Sequence, residues 1–481
     1  MSEGGRGAEV GLPTLFLKYI VTLKCEKDRS VPVMSEQIKG SMVTGNPTRA
    51  LIGFTLPMVA GNLFQQFYNI MDSVIVGNVV GEEALAAVGA STAITMMFVM
   101  VAMGTGIGCS VVISQLFGAK KLEEMKTAIS TALLSILGFS IFLSMLGLVI
   151  NRGLMDLMGT PENIFEDAAE YMQIYFFGFV FLFLYNAFSA IFNALGDSGK
   201  PLMFLIFSSL LNIGLDLYFV AELHMGVAGV AWATLIAQGI SALLSFGFLM
   251  WKLKGIETER YRRFDPALLK NMVKVAVPTI VQQSIVSVGM VLVQSVVNRF
   301  GSTFLAGYTA ATKIDGIAIV PMVAVGNATS TYVAQNMGAR KPERIGQGYR
   351  ICLMMAAGIG LTIAVILHFA GNDFVGLFLD SDSSREAIAI GARYLSIVSL
   401  FYFMMGLMNV SNGVLRGAAD MGWFLTCSLC NLGVRVGLTY ALADATHGMI
   451  IMWANPAGWA VGLGLAVFRY FQGGWKTKRI V

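Results

Sequence analysis

Residues 50–77 read ALIGFTLPMVAGNLFQQFYNIMDSVIVG and contain a single charged side chain, Asp72. The run is long enough to cross a bilayer, which takes about 20 predominantly apolar residues. Between Arg49 and Lys120 there is no Lys or Arg, and the other acids there, Glu82 and Glu83, mark a loop. A carboxylate within such a helix costs about 2.5–3.5 kcal/mol on insertion scales, and its default reading is an ion or proton pathway. Asp216 repeats the anomaly in a later apolar segment.

Composition agrees with a chain built for lipid. Apolar residues make up 56% and charged residues 13%, against about 25% charged in an average soluble chain, and the mean hydropathy is +0.70. The 53 glycines suit close helix packing in lipid, where small residues let backbones approach. A net charge of +4 is too small to imply a nucleic-acid partner, and five scattered cysteines do not form a disulfide framework.

Apolar runs occur near 50–77, 86–116, 124–150, 170–195, 201–221 and 225–252, and after a charged linker near 270–299, 303–336, 346–370, 390–414, 421–442 and 448–470. The reading is an all-α polytopic membrane protein with twelve spans. Lys and Arg collect in alternate loops: Lys39 and Arg49; Lys120 and Lys121; Lys200; Lys252 to Arg263; Arg340, Lys341 and Arg344; Arg416; and Lys476 to Arg479. The loops between them are acidic or nearly uncharged, with Arg152, Arg299 and Arg385 as single exceptions. Positive loops stay inside, so both termini are expected in the cytoplasm and the chain in the cytoplasmic (inner) membrane.

The chain also repeats itself. At an offset of 220, Gly81, Gly106, Ser110, Gln115, Gly118, Ala119 and Lys121 match Gly301, Gly326, Ser330, Gln335, Gly338, Ala339 and Lys341. Leu195-Gly196-Asp197 resembles Ala418-Ala419-Asp420, and Asn212 falls opposite Asn431. Six spans return the chain to its starting side, so the expected plan is two six-helix lobes related by a pseudo-two-fold along the membrane normal, a transporter architecture with the substrate between lobes. The expected divisions are a tail over 1–45, an N-lobe over 46–252, a linker over 253–269 and a C-lobe over 270–481. Within the tail, Leu12 to Leu23 is too short for a span and lacks a signal cleavage pattern, and Met34-Ser35-Glu36 reads as the natural start.

Leu56-Pro57, then Tyr68-Asn69-Ile70-Met71-Asp72, Gly77-Asn78-Val79-Val80-Gly81 and Gln115-Leu116-Phe117-Gly118-Ala119, resembles the multidrug and toxic compound extrusion family. Gly196-Asp197, Asn212-Ile213-Gly214-Leu215-Asp216 and Gly226-Val227-Ala228-Gly229-Val230-Ala231 continue the likeness in order, over about residues 46–470. An Asp in span 1 with Asn and Asp in span 5 is similar to the DinF-type branch. That resemblance implies a cation or proton site made of Asp72, Asn212, Asp216 and Thr234. Geometry is compatible, because residues four apart share a helix face, as do Asn212 with Asp216 and Tyr68 with Asp72. Gln65 lies near the same face and is a candidate substrate or gating residue with Tyr68 and Pro57.

Such a pair has definite chemistry. Removal from water disfavours a charged carboxylate and a second acid nearby disfavours it further, so neutralisation by H+ or Na+ becomes a switch. A bend of span 1 around Pro57, whose ring removes a helix hydrogen bond, is the expected response. In the C-lobe, Val286 stands eight residues beyond Pro278, where the related NorM-type pattern has an acid, and Gln282 and Gln283 are the amides nearby. Lys313, Asp315 and Arg435 are expected to form a structural ion-pair network. Gly104-Thr105-Gly106-Ile107-Gly108 lies inside a helix with no preceding strand and reads as packing rather than a dinucleotide loop. Cys427 and Cys430 lack a second ligand pair, and Ser198-Gly199-Lys200-Pro201 is not a phosphate loop.

The expectation is a secondary active exporter exchanging organic, often cationic compounds for H+ or Na+, in the bilayer. No cofactor is expected, no metal beyond Na+ at the coupling site, and no nucleic acid or obligate protein partner. The multidrug cargo is what the resemblance implies; the Met- and Phe-rich stretch from Met58 to Met103 suits adaptable binding of such compounds. Within transport, the alternative is a flippase of lipid-linked saccharides, which a basic central cavity would favour. An intramembrane enzyme is the reading least supported, since only His224, His368 and His447 are present and no nucleophile or metal constellation accompanies them.

Overall fold

The first helix shows how local chemistry sets the spans. Asn46 caps it through Oδ1, which accepts from Thr48 N at 2.9 Å, and Pro47 occupies a position that needs no amide donor. A computed structural model describes residues 42–379, 385–478 and Ile480. The proposed start at Met34 lies outside the described residues.

Every regular element among the described residues is helical. In the N-lobe these are α1 (Pro47–Ile75), α2 (Glu82–Gly118), α3 (Leu122–Leu157), α4 (Glu162–Ala194), α5 (Gly199–Leu217) and α6 (Gly226–Lys254). In the C-lobe they are α7 (Pro266–Val297), α8 (Gly301–Ala318), α9 (Val320–Gly338), α10 (Pro342–Gly376), α11 (Arg385–Ser399), α12 (Tyr402–Gly417), α13 (Met421–Leu442) and α14 (Met449–Gln472). One π-helical turn follows α1 at Val76–Val80 and another follows α5 at Tyr218–Glu222. Among the described residues, nine helical segments are long and apolar enough to cross a membrane, or ten if α11 and α12, bent by 50°, form one span. This is fewer than the twelve apolar runs for two physical reasons. Pro266–Gly338 is counted as one segment although it holds α7, α8 and α9, and α1 is diluted by Asn62, Gln65, Gln66, Asn69 and Asp72.

The repeat is written into the backbone. Lys120 and Arg340 adopt left-handed φ values of 59° and 56° in matching turns, and Gly196 and Ala419 take 80° and 62°. In each lobe the aspartate after that second turn pairs with a cation on the lobe's last helix. Lys252 Nζ lies 2.8 Å from Asp197 Oδ2, and Arg469 Nε lies 2.7 Å from Asp420 Oδ2. One register differs from the sequence reading. The turns on either side of α5 and α13, Asp197/Asp420 and His224/His447, are both 223 residues apart, which puts Arg435 rather than Asn431 opposite Asn212. The slip is one helical turn, so the asparagine appears on the expected face and misleads.

The lobes meet mainly through the later half of α2 and the earlier half of α7. A methyl group on Gly104 would overlap Ile280, and one on Gly108 would overlap Ala276, so the glycine-rich run is a helix crossing. At the end of the crossing the repeats interlock reciprocally. A methyl on Gly118 would strike the Gln335 carbonyl, and one on Gly338 would strike that of Gln115. Gln115 Nε2 donates to Gly417 O at 3.1 Å, and Gln335 Nε2 donates to Ala194 O at 2.9 Å.

Chain segments reinforce this end. Asn336, Lys341 and Arg344 donate to the carbonyls of Met42, Val43 and Gly45, so the lead into α1 is held by the other lobe. The connection from α6 to α7 lies along α3, held by Lys126, Thr127, Ser130 and Thr131 on one face of that helix.

Candidate functional site

The N-lobe site is assembled by three helices. Tyr68 and Asp72 project together from α1, Asn212 and Asp216 from α5, and Thr234 from α6. Asp216 has no exposed surface and Asn212 only 2%. With its amide turned so that nitrogen meets oxygens, Asn212 donates to Tyr68 Oη at 2.6 Å and to Asp216 Oδ2 at 3.1 Å, and accepts from Thr234 N at 3.1 Å. Tyr68 and Thr234 also face each other. Asparagine therefore clamps the tyrosine and one acid with a single side chain.

The two carboxyl groups lie within hydrogen-bonding reach of each other. Oδ1 of Asp72 and Oδ1 of Asp216 are both buried and meet no donor among the described residues. Two bare carboxylates at such a separation repel strongly, and one proton or one cation between them removes the conflict. The carboxylate, phenol and hydroxyl oxygens around the pair suit a hard cation such as Na+ as well as a proton, while the Asn212 amide, with its nitrogen on Tyr68 and Asp216, holds them in place.

The sequence reading thus named four residues that the fold brings together, with Tyr68 as the fifth. Gln65 is elsewhere: its amide donates to Asn69 Oδ1 at 3.5 Å, in a polar row along α1, and makes no bond to either acid. Pro57 lies inside α1, which runs on through it. Near it, Ser198 Oγ donates to Phe54 O at 2.7 Å, anchoring the lower part of α1 to the turn before α5. Beside this stretch lies an apolar groove of about 590 Å³ between α1 and α10, lined by Ile52, Leu56, Val59, Pro321, Met354 and Ile359.

Two site neighbours were missed. Tyr171 and Tyr175 of α4 stand near the acids, with rings stacked at 6.0 Å. Their spacing of four in an otherwise phenylalanine-rich helix was the available signal, since a phenol in lipid needs a polar neighbour. The expected C-lobe ion-pair network does not form among the described residues. Asp315 accepts from Tyr402 Oη at 2.5 Å, while Lys313 is exposed, with its ammonium 5.7 Å from the ring centre of Phe378. Side chains two apart on α8 point in different directions, and each took an aromatic partner instead.

The MatE family model matches residues 57–218 and again residues 278–441, once in each lobe. The chain belongs to the MatE family. Probable multidrug resistance protein YpnP of Bacillus subtilis is 30% identical over 445 residues, 91% of this chain and 97% of that protein. Multidrug and toxin extrusion protein 2 of Mus musculus is 23% identical, over 84% of this chain and 71% of that protein. A crystal structure of MATE in the bent conformation has the same fold, with a TM-score of 0.83 at 24% identity, covering 91% of this chain and 99% of that one. This MatE transporter therefore has the two-lobe helical fold of that family, and its repeat is the family's own.

Proposed function

We propose that this MatE transporter exports organic, often cationic compounds by alternating access, exchanging them for H+ or Na+ at Asp72 and Asp216. The observation that carries the reading is the pair of carboxyl groups within reach of each other between α1 and α5, each with one buried oxygen that meets no donor among the described residues. Asn212 and Thr234 would complete that site, as the resemblance to the DinF-type pattern implies, and Tyr68 would stand beside them as the partner of Asn212. The names of the relatives, one a probable multidrug resistance protein and one a multidrug and toxin extrusion protein, support the cargo class. The protein is placed in the cytoplasmic membrane in twelve spans, with both termini and the Gly118/Gly338 interlock on the cytoplasmic side, following the distribution of Lys and Arg. A lipid-linked saccharide flippase calls for a basic cavity, and the N-lobe site is acidic.

Loading the acid pair removes charge and frees Asp72 to change partners. The upper part of α1 is then free to bend at Pro57, where the helix lacks one hydrogen bond, while Ser198 and the C-lobe contacts hold its lower part. Cation entry and cargo exit would share that movement. Proteoliposomes carrying the purified protein test this: an imposed proton or sodium gradient is expected to drive dye movement. Dye movement indifferent to both gradients refutes the exchange.

A further inference from the structure

The segment after α14 crosses from one lobe to the other, unlike its counterpart in the repeat. α14 stops at Gln472, and Gly473, with a left-handed φ of 76°, turns the chain out of the helix. Trp475 is then buried, 1% exposed, with its Nε1 donating to Tyr470 O at 2.9 Å and its ring stacked on that of Tyr470. Tyr470 stacks in turn on Tyr349 of α10, 4.1 Å between ring centres. A methyl on Gly474 would overlap the Arg469 guanidinium, so this anchor sits directly against the buried Arg469–Asp420 pair. These contacts all lie within the C-lobe.

Five residues further on, the chain reaches the other lobe. Ile480 N donates to Gln115 Oε1 on α2 at 3.1 Å, and the Ile480 side chain packs against both the N-lobe core and the core around α9, α10 and α12. The repeat supplies a control. Gln335 matches Gln115 and makes the same reciprocal bond through its Nε2, but its buried Oε1 meets no donor among the described residues. The segment after α6, the N-lobe counterpart, stays with its own lobe, where Ile256 and Thr258 accept from Lys126 of α3. One of two equivalent glutamines is therefore tied to a crossing segment and the other is not.

Gln115 stands at the interlock of Gly118 and Gly338, the end of the molecule where the lobes are closed on each other. Alternating access rocks one lobe against the other, so lobes that meet at this end must separate there during a cycle. A segment bonded to both resists that separation. We propose that residues 475–480 form a strap across the closed end, anchored in the C-lobe by Trp475 and fastened to the N-lobe at Gln115, and that it sets how readily this end opens. This rests on the reading of the chain as an alternating-access exporter and adds a control on its cycle. One backbone amide on a neutral side chain is a modest fastening, enough to bias the closed form and weak enough to yield in each turnover. Only the Ile480 end has to let go, because the Trp475 end travels with the C-lobe.

Hydrogen–deuterium exchange on the full chain in detergent tests the strap without gradient or cargo. Ile480→Pro removes the N–H that Gln115 accepts, while Ile480→Val keeps it. In Ile480→Pro, amides over 115–119 of the N-lobe and 335–339 of the C-lobe are expected to exchange about fivefold faster, the factor for about 1 kcal/mol. Ile480→Val should exchange as the parent does, and a chain ending at Lys478 should match Ile480→Pro. Unchanged exchange over 115–119 in both Ile480→Pro and the shortened chain overturns the strap, even if amides around Trp475 quicken, since that pattern is packing within one lobe. A quickening shared equally by the α4 core at Phe176 and Phe179 also overturns it, as a general loss of stability. Dye movement indifferent to both gradients would sink the exchange reading alone, because the exchange of these amides involves neither ion nor dye.

Discussion

Asp72 and Asp216 each keep one oxygen without a donor, and that incompleteness is informative at the scale of single residues. Asp72→Asn and Asp216→Asn supply a neutral amide of the same shape, so each variant should insert and melt like the parent. Each should lose gradient-driven dye transport by about tenfold or more, the factor that 1.4 kcal/mol represents. Unimpaired transport in both would leave the pair a packing contact. Tyr68→Phe removes the oxygen that accepts from Asn212 at 2.6 Å and should weaken cation activation several-fold, read as a higher half-saturating ion concentration. Both acids were legible in the sequence, because a lone carboxylate in an apolar run is costly wherever it points. Their meeting was implied by the resemblance to the DinF-type pattern, and the four-residue spacing showed only which residues share a face within each helix. Arg435 and Asp315 were grouped from the sequence as intramembrane charges, whereas the approach of Arg435 to Tyr308 spans helices that the sequence separates and carried no signal.

At the scale of elements, α1 has two fixed ends with different attachments. Its lower part is bonded to Ser198 and seated in the C-lobe core through Leu51 and Phe54, and its upper part ends at Asp72 and a π-helical turn. π-Turns are frequent at functional sites, and both of these follow an acid-bearing helix directly. Pro57→Ala restores the missing hydrogen bond between these parts. The expected outcome is unchanged or higher thermal stability with transport reduced several-fold; full transport would remove Pro57 from the cycle. The two π-turns were not readable beforehand, since the sequence signals a helix end there but not how the ladder loosens before it.

For the whole molecule, the repeat offers an internal comparison. The Arg469–Asp420 pair is nearly sealed, with side-chain exposures of 10% and 5%, whereas Lys252–Asp197 stands at 15% and 26%. Breaking a buried pair strands a charge at about 3–5 kcal/mol, while a partly exposed one is worth about 1 kcal/mol. Asp420→Asn should therefore lower the melting temperature in detergent far more than Asp197→Asn. Equal shifts would mean that burial does not set the difference. The two-lobe plan was visible early because turns repeat residue by residue. The tally of twelve rests on the apolar runs, and α1 falls short of a uniformly apolar span because it carries the polar row of its site.

The mutual fit of Gly118 and Gly338 has a mechanical corollary. Each glycine's empty side-chain position is filled by main chain from the opposite half, so neither half can retreat a little while the other stays docked. Such a floor parts all at once or not at all, which guards against slow seepage of ions. Gly118→Ala wedges it, at a cost of about 1–3 kcal/mol to the shut form. A cysteine placed at buried Ser114 should then react faster with an impermeant maleimide added on the side where the interlock lies. An unaltered labelling rate would show that the floor yields gradually after all.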